Sequence, residues 1–378
     1  MQFRTIPDDG RPLEVVLVGA GAMGQVWLGA IGQCPEVQLV GLVDLDTDAA
    51  ARVAADLPKP VAIGSDCVEV ALRSGGRAVI DVTVPVAHHL VTTAALFAGL
   101  PLLGEKPVAA TVAQGLSLTA AAEVTGELFM VSQSRRYNEQ LWAFRDQIAS
   151  LGGAGVLTTE FFKAPRFGGF RDEMDHPLLL DMAIHQFDSA RFLLEADPVA
   201  VYCEEYNPPW SWYRGDAGCT AIFEMTSGAR YVFTGSWCSP GLETSWNGSW
   251  RASAQAGSAR WNGDNAPDVE VTGPGADEST LGAGAQPADE LRGEGIAGSL
   301  REFVQALRTG RTPMGEVHGN VASLAMVEAA IESHRTGARV QLAQTMTAAL
   351  DAARASEARA DVGQVLKTWY ADGGIPGR

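Results

Sequence analysis

Between residues 13 and about 131, short apolar runs alternate with stretches of helical periodicity. LEVVLVG (13–19) reads as a buried strand, followed by a glycine-rich turn and a helix to about Gln33. VQLVGLVD (37–44) is a second strand, and DTDAAARVAADL is a helix capped by Asp46 or Thr47. RAVIDVTVP (77–85), LPLLGEKP (100–107) and ELFMVSQ (127–133) are further strands, with a helix around HHLVTTAALFAG between the first two. Strands separated by helices pair in parallel, so this half predicts a doubly wound sheet.

After about residue 132 the texture changes. One helix, YNEQLWAFRDQIASLG, precedes the runs VLTTEFFKA, AVYCEEYN, GCTAIFEM, ARYVFTGSW, WRASAQA and SARWNG. Their short spacing predicts an antiparallel sheet. Between the first two lies LLLDMAIHQFDSARFLLEAD, a helix with Pro177 in its first turn, where a missing N–H costs least. Residues 264–293 are rich in Gly, Pro and Asp and predict a long surface excursion. Two helices from about 294 to 335, a short strand at ARVQLA, and an alanine-rich helix with a frayed end complete the chain. The fold class is therefore α/β: a Rossmann dinucleotide-binding domain (1–131), an α+β domain with a large open, mostly antiparallel sheet (132–343), and a helical tail (344–378).

Composition narrows the partners. Hydrophobic residues at 46% and charged residues at 19% describe a globular protein, and 378 residues suffice for two cores. A net charge of −17 argues against nucleic acid and against anionic membrane, since both need clustered Lys and Arg. MQFRTIPDDGRP has no apolar signal core, and no run reaches the length of a membrane span, so a cytoplasmic protein is expected. Cys34, Cys67, Cys203, Cys219 and Cys238 are scattered without CxxC spacing, which suits a reducing compartment and supplies no zinc site.

Gly19-Ala20-Gly21-Ala22-Met23-Gly24 fits G-x-G-x-x-G, follows an apolar strand and opens a helix. Asp44 ends the second strand, 20 residues past Gly24. In that context Gly19 makes the tight turn, Gly21 lets a pyrophosphate approach, and Gly24 lets helix and strand pack closely. The helix start at Ala22 and Met23 offers N–H groups to phosphate, and Asp44 can accept both ribose hydroxyls. Asp46 and Asp48 stand near Asp44, while Leu45 supplies no cation, so NAD is preferred over NADP.

Two further features carry chemistry. Lys106, in Glu-Lys-Pro, stands at a strand end, where an open parallel sheet forms its ligand crevice. In LLLDMAIHQFD, Asp181 and His185 are i, i+4 neighbours with Asp188 a turn further, and the stripe is surrounded by Leu, Met, Ile and Phe. An ordinary exposed Asp–His pair would contribute only about 0.2–0.5 kcal/mol to a helix and needs no such surround.

GAGAMG with Asp44, ValProValAlaHis (84–88), GEKP (104–107), RRYN (135–138), DMAIHQFD (181–188) and the closing GARVQL (337–342) resemble, in order and spacing, the Gfo/Idh/MocA oxidoreductases over roughly residues 13 to 343. The resemblance implies reversible oxidation of a sugar, polyol or inositol hydroxyl, and a homodimer or homotetramer formed through the outer face of the second sheet. It extends the cofactor set to Val84, Pro85, His88, Glu105 and Lys106. It also implies that Lys106 binds the reacting oxygen, His185 acts as general base or acid, Asp181 orients, and the stripe faces the nicotinamide. Two departures fall where substrate should lie: the lead-in RDEMDHPLLLD places His176 and Pro177 at positions of small residues, and Val84 replaces a frequent Thr.

Arg166, His176 and Trp210 are candidate substrate contacts. His176 equally suits a contact at the helix start, and Trp210, Trp212 and Tyr213 suit either a sugar platform or hydrophobic anchoring at an interface. Trp237, Trp246, Trp250 and Trp261 are expected in strands as packing. Two rival functions use the same motifs: an NAD-dependent glycosidase without net redox change, and a non-catalytic dinucleotide-binding regulator.

Overall fold

The computed structural model describes residues 2–272 and 295–372. The chain divides into two units. The first takes the residues up to Ser134, those from 295 to Val321, and those from Ala348 onward; the second takes Arg135 to 272 and Ala322–Thr347.

The first unit alternates β1 (Leu13–Val18), α1 (Ala22–Gln33), β2 (Val37–Val43), α2 (Thr47–Ala55), β3 (Ala62–Gly64), α3 (Cys67–Ser74), β4 (Ala78–Asp81), α4 (Pro85–Phe97), β5 (Leu102–Glu105), α5 (Val112–Thr125) and β6 (Phe129–Ser132). The sheet is parallel, in the order β3-β2-β1-β4-β5-β6. β4 and β5 are buried at every position, as expected of strands covered on both faces. Strand order reverses between β1 and β4, which places the ligand crevice at the carboxyl ends of those two strands.

The second unit contains α6 (Glu139–Ser150), β7 (Ala154–Phe162), α7 (Ile184–Leu194), β8 (Pro198–Tyr206), β9 (Gly218–Met225), β10 (Arg230–Ser236), β11 (Ser249–Ala254), β12 (Gly257–Trp261) and β13 (Asp268–Val271). The chain continues through α8 (Gly295–Thr309), α9 (Val317–Thr336), β14 (Val340–Gln341), α10 (Leu342–Ser356) and α11 (Ala360–Asp372). The second sheet runs β13-β12-β11-β7-β10-β9-β8-β14 and is antiparallel except where β7 and β10 pair in parallel. Its inner face buries Leu157, Phe161, Phe223, Tyr231, Phe233 and Trp250. Phe187 of α7 is driven edge-on into Phe223 and Phe233, with ring centroids 4.8 and 5.4 Å apart.

Three expectations need correction. β13 lies inside the stretch read as a surface excursion: its alternation is short, yet it pairs with β12 and is fixed by Arg260–Asp268 at 2.9 Å. The remainder of that stretch, residues 273–294, lies outside the described residues. The alanine-rich end is not one frayed helix but two, and α11 packs on α5 through a buried stripe of Val362, Leu366 and Trp369. Those positions follow i, i+4, i+7, the signature of a docked helix. Trp237 and Trp246 lie outside the strands, Trp237 one residue past the end of β10; Trp246 is exposed, whereas Trp237, Trp250 and Trp261 are buried.

Candidate active site

In the first unit, the glycines of the turn have three separate physical reasons. Gly19 has φ +108°, and a Cβ there would lie 2.9 Å from the Val82 carbonyl oxygen. At Gly24 a Cβ would come within 2.1 Å of the Gly19 oxygen, so helix and turn could not close together. A Cβ at Gly21 meets no described atom within 4 Å, so space is left where a ligand would approach.

Helix ends complete the picture. α2, α3 and α5 begin with Asp46, Asp66 and Thr111, whose side chains accept hydrogen bonds from the first-turn N–H groups. Among the described residues, no capping side chain serves the starts of α1 at Gly21 or α4 at Val84. These two ends follow β1 and β4, the strands that flank the reversal of order. The unmet donors of α1 at Ala22, Met23 and Gly24 suit a pyrophosphate, while Val84 and Pro85 lie at the other end. Asp44 is held in place at the tip of β2: Oδ2 accepts the Ala20 N–H at 2.8 Å and Oδ1 the Asp46 N–H at 2.9 Å. Each oxygen keeps a second lone pair for a ribose hydroxyl. Arg52, the nearest cation in sequence, is turned to Asp46 at 3.8 Å and does not offset the acidic charge around Asp44. The residues therefore fit NAD.

Two residues expected at the cofactor also hold the loops. Glu105 is buried; its Oε1 accepts the Trp27 indole N–H at 2.8 Å and its Oε2 the Lys106 N–H at 3.1 Å. It pins α1 to the end of β5 and fixes the backbone that presents Lys106. His88 is buried with Nδ1 2.8 Å from the Pro107 oxygen and Nε2 3.0 Å from the Thr83 oxygen. Beside it, Asp81 Oδ1 accepts the Thr83 N–H and hydroxyl at 3.0 and 2.7 Å. Burial pushes the Asp81 carboxyl up, and His88 opposes that shift.

In the second unit, the segment bearing Asp181 and His185 is not a uniform α-helix. Leu178–Ala183 forms a π-helical turn that passes into α7 at Ile184. The turn is wider than an α-turn and re-aims Asp181 relative to His185, a device frequent at functional sites. Leu178, Leu179, Met182, Ala183, Ile184 and Phe187 are buried around the pair, and His185 is itself buried. Asp181 accepts from Arg171 Nε at 2.9 Å. Arg171 was not legible as a site residue, because a single arginine in a loop, ten positions before its partner, has no periodic signal.

Asp188 is structural. Both its oxygens accept from Arg136, at 2.7 and 2.8 Å, and Oδ1 also accepts the Ser323 hydroxyl at 2.7 Å. This explains much of RRYN: Arg136 grips Asp188, Tyr137 is buried, and Asn138 caps α6 through the N–H groups of Gln140 and Leu141.

The three candidate substrate residues divide. His176 is bound to the buried carboxylate of Glu205, Nδ1 to Oε2 at 2.8 Å, a contact at the helix start. That hydrogen bond raises the His176 pKa, while burial raises that of Glu205. Trp210 is exposed, with its indole N–H donating to the Cys238 oxygen at 3.1 Å. Arg166 is exposed, with its guanidinium 3.9 Å from the Trp212 ring centroid, and Tyr213 is buried. Among the described residues, no group of three or more His, Cys, Asp or Glu side chains could hold a metal, and no helix is long and apolar enough to cross a membrane.

A parallel sheet with free helix ends at its reversal point and a carboxylate at the tip of β2 defines a Rossmann-type dinucleotide-binding protein. Residues 13–133 match the model of the oxidoreductase family with an NAD-binding Rossmann fold, and residues 161–260 match that of the GFO/IDH/MocA C-terminal domain. The chain belongs to the Gfo/Idh/MocA family and is an NAD-dependent oxidoreductase. It is 26% identical over 348 residues to inositol 2-dehydrogenase 4 of Saccharopolyspora erythraea, covering 88% of this chain and 97% of that protein. An uncharacterised protein of Sinorhizobium fredii is 25% identical over 350 residues, covering 87% and 95% of the two chains. The crystal structure of an oxidoreductase from Agrobacterium radiobacter in complex with NAD+, L-tartaric acid and magnesium shares the fold, with a TM-score of 0.75 at 17% identity, covering 88% of this chain and 99% of that one.

Proposed function

We propose that the protein is a dehydrogenase of a secondary hydroxyl on a sugar, polyol or inositol, with Lys106 and His185 as its catalytic residues. The observation that carries this reading is the ionisable pair Asp181 and His185, held in a buried apolar segment of an NAD-dependent oxidoreductase. Relatives named as inositol 2-dehydrogenases support the substrate class.

NAD, when bound, supplies a nicotinamide ring that exchanges a hydride with the carbinol carbon. Gly19, Gly21, Ala22, Met23, Gly24 and Asp44 hold its pyrophosphate and ribose, and Val84 and Pro85 line the second helix end. The Lys106 ammonium stabilises negative charge developing on the substrate oxygen. His185 takes the hydroxyl proton during oxidation and returns it during reduction. Asp181, tied to Arg171, orients the hydroxyls around the reacting carbon. The exposed outer face of the second sheet, with Tyr202, Tyr206, Ile222 and Val156, forms a homodimer or homotetramer contact.

The test is kinetic. Lys106→Ala and His185→Ala should each lower kcat by about 10²–10⁴, the range of a positioned acid or base. NAD affinity should stay constant, and the double variant should lose less than the sum. Near-normal kcat in His185→Ala overturns the assignment, and release of sugar from glycosides without net NADH formation replaces the reaction by glycosidic cleavage.

A further inference from the structure

The loop that leads into the Asp181 segment sets cations beside aromatic rings in the second unit. Lys163 Nζ lies 2.9 Å from Glu243 Oε2 and 4.9 Å from the Trp246 ring centroid. Trp246 stacks on Phe167, with centroids 6.4 Å apart. The Arg171 guanidinium lies 5.5 Å from the Phe167 ring and 4.7 Å from that of Phe170, and its Nε is the donor to Asp181. Next to Phe167 in the chain, Arg166 stacks on Trp212. Trp212 lies 5.2 Å from the Tyr213 ring, whose hydroxyl donates to the Pro165 oxygen at 3.3 Å.

Three of these rings stand in water: Phe167 is 58% exposed, Phe170 54% and Trp246 41%. Burying them would be favourable, so leaving three together beside an ion pair costs stability unless something covers them. The cations are as uneven. In a chain of net charge −17, Arg166 has a ring partner and, among the described residues, no carboxylate. Arg171 donates through Nε to Asp181, and among the described residues its two terminal nitrogens have no hydrogen-bond acceptor. A planar guanidinium is suited to carboxylate and phosphate, and a ring that holds it flat reduces the entropy lost on binding.

We propose that this surface selects an anionic sugar, with Arg166 and Arg171 binding its carboxylate or phosphate and Phe167, Phe170 and Trp246 packing on its C–H face. The inference rests on the dehydrogenase reading for its location, because Asp181 is shared by the two. An acidic substrate also gives the Arg171–Asp181 pair a use: the substrate anion takes up the donors of Arg171 that do not bond Asp181.

Binding and turnover separate the two ideas. The NAD-loaded protein is titrated calorimetrically with D-glucuronate, D-gluconate, D-glucose 6-phosphate and neutral D-glucose and D-glucitol, and NADH formation is followed with the same compounds. At least one anionic compound should bind roughly 10- to 100-fold more tightly than its neutral counterpart, the range of a charge-assisted hydrogen bond. The uronate and phosphate arms show which anion is preferred. Arg166→Gln and Arg171→Gln should each shrink that ratio toward one, while the NAD affinity, read in the same instrument, reports that the variants fold. Equal affinity for neutral and anionic sugars, or no binding of any anionic sugar, overturns the inference. Tight anion binding with no NADH from any compound sustains it and counts against the dehydrogenase reading instead.

Discussion

At the scale of single residues, the glycine turn shows why three identical letters are not interchangeable. The extra atom in Gly24→Ala would lie 2.1 Å from a backbone oxygen, whereas in Gly21→Ala it meets no described atom within 4 Å. Gly24→Ala should therefore lower the melting temperature, while Gly21→Ala should leave it in place and weaken NAD binding. Calorimetric melting curves with and without NAD check both; a large fall in the melting temperature of ligand-free Gly21→Ala would contradict the geometry. Asp44 makes the complementary case for selectivity. Its carboxylate is fixed by two backbone N–H groups, and Arg52, the nearest cation in sequence, is turned to Asp46, so a 2′-phosphate placed there would be repelled. Asp44→Ala should narrow the gap between NAD and NADP affinities, chiefly by weakening NAD, as read from dissociation constants for the two cofactors.

At the scale of elements, the segment 177–194 is held from several sides. The Asp188 side chain is 1% exposed and that of Arg136 13%, so removing one partner leaves the other buried and uncompensated. Asp188→Ala should cost about 3–5 kcal/mol. Replacing both residues by apolar ones of similar volume should cost much less, a comparison that urea midpoints decide. The start of the segment depends on a proton. His176 titrates above the ordinary histidine range because of its hydrogen bond with Glu205, with Asp175 and Asp216 adding attraction. His318 also titrates high: burial opposes the shift, and its contacts to Glu316 at 2.6 Å and Glu123 at 2.9 Å outweigh it. Both pKa values are raised on folding, so the stability they contribute is complete below the unfolded value and is lost as pH rises through the folded one. The melting temperature should fall between pH 6 and pH 9, and His176→Gln combined with His318→Gln should flatten that slope.

At the scale of the whole molecule, two surfaces have opposite fates. The stripe of Val362, Leu366 and Trp369 is already buried on α5, and Leu366→Ala should cost about 2–5 kcal/mol as a core truncation. The outer face of the second sheet leaves Tyr202, Tyr206 and Ile222 exposed along neighbouring strands. If that face joins copies of the chain, Tyr202→Arg with Ile222→Arg should reduce the mass seen by light scattering to that of one chain. A wild-type protein that is monomeric at high concentration would remove the proposed contact.

Local chemistry made much of this protein legible. Alternating apolar runs and helical periodicity settled the Rossmann half, because each βα unit is specified within about 30 residues. GAGAMG and Asp44 could be read for the same reason: a turn, a helix end and a strand tip are properties of short segments. Tertiary structure decided what depends on distant partners. Glu105 meets Trp27 across 78 positions, and Asp188 meets Arg136 across 52 and Ser323 across 135. No periodicity records such pairs, so the partners of Glu105, His88 and His176 could not be read from the sequence. The parallel pairing of β7 with β10, the docking of α11, and the convergence of Arg166 and Arg171 on aromatic rings were likewise beyond the sequence. Which surfaces are brought together is settled by packing, which selects among many partners that local sequence permits equally.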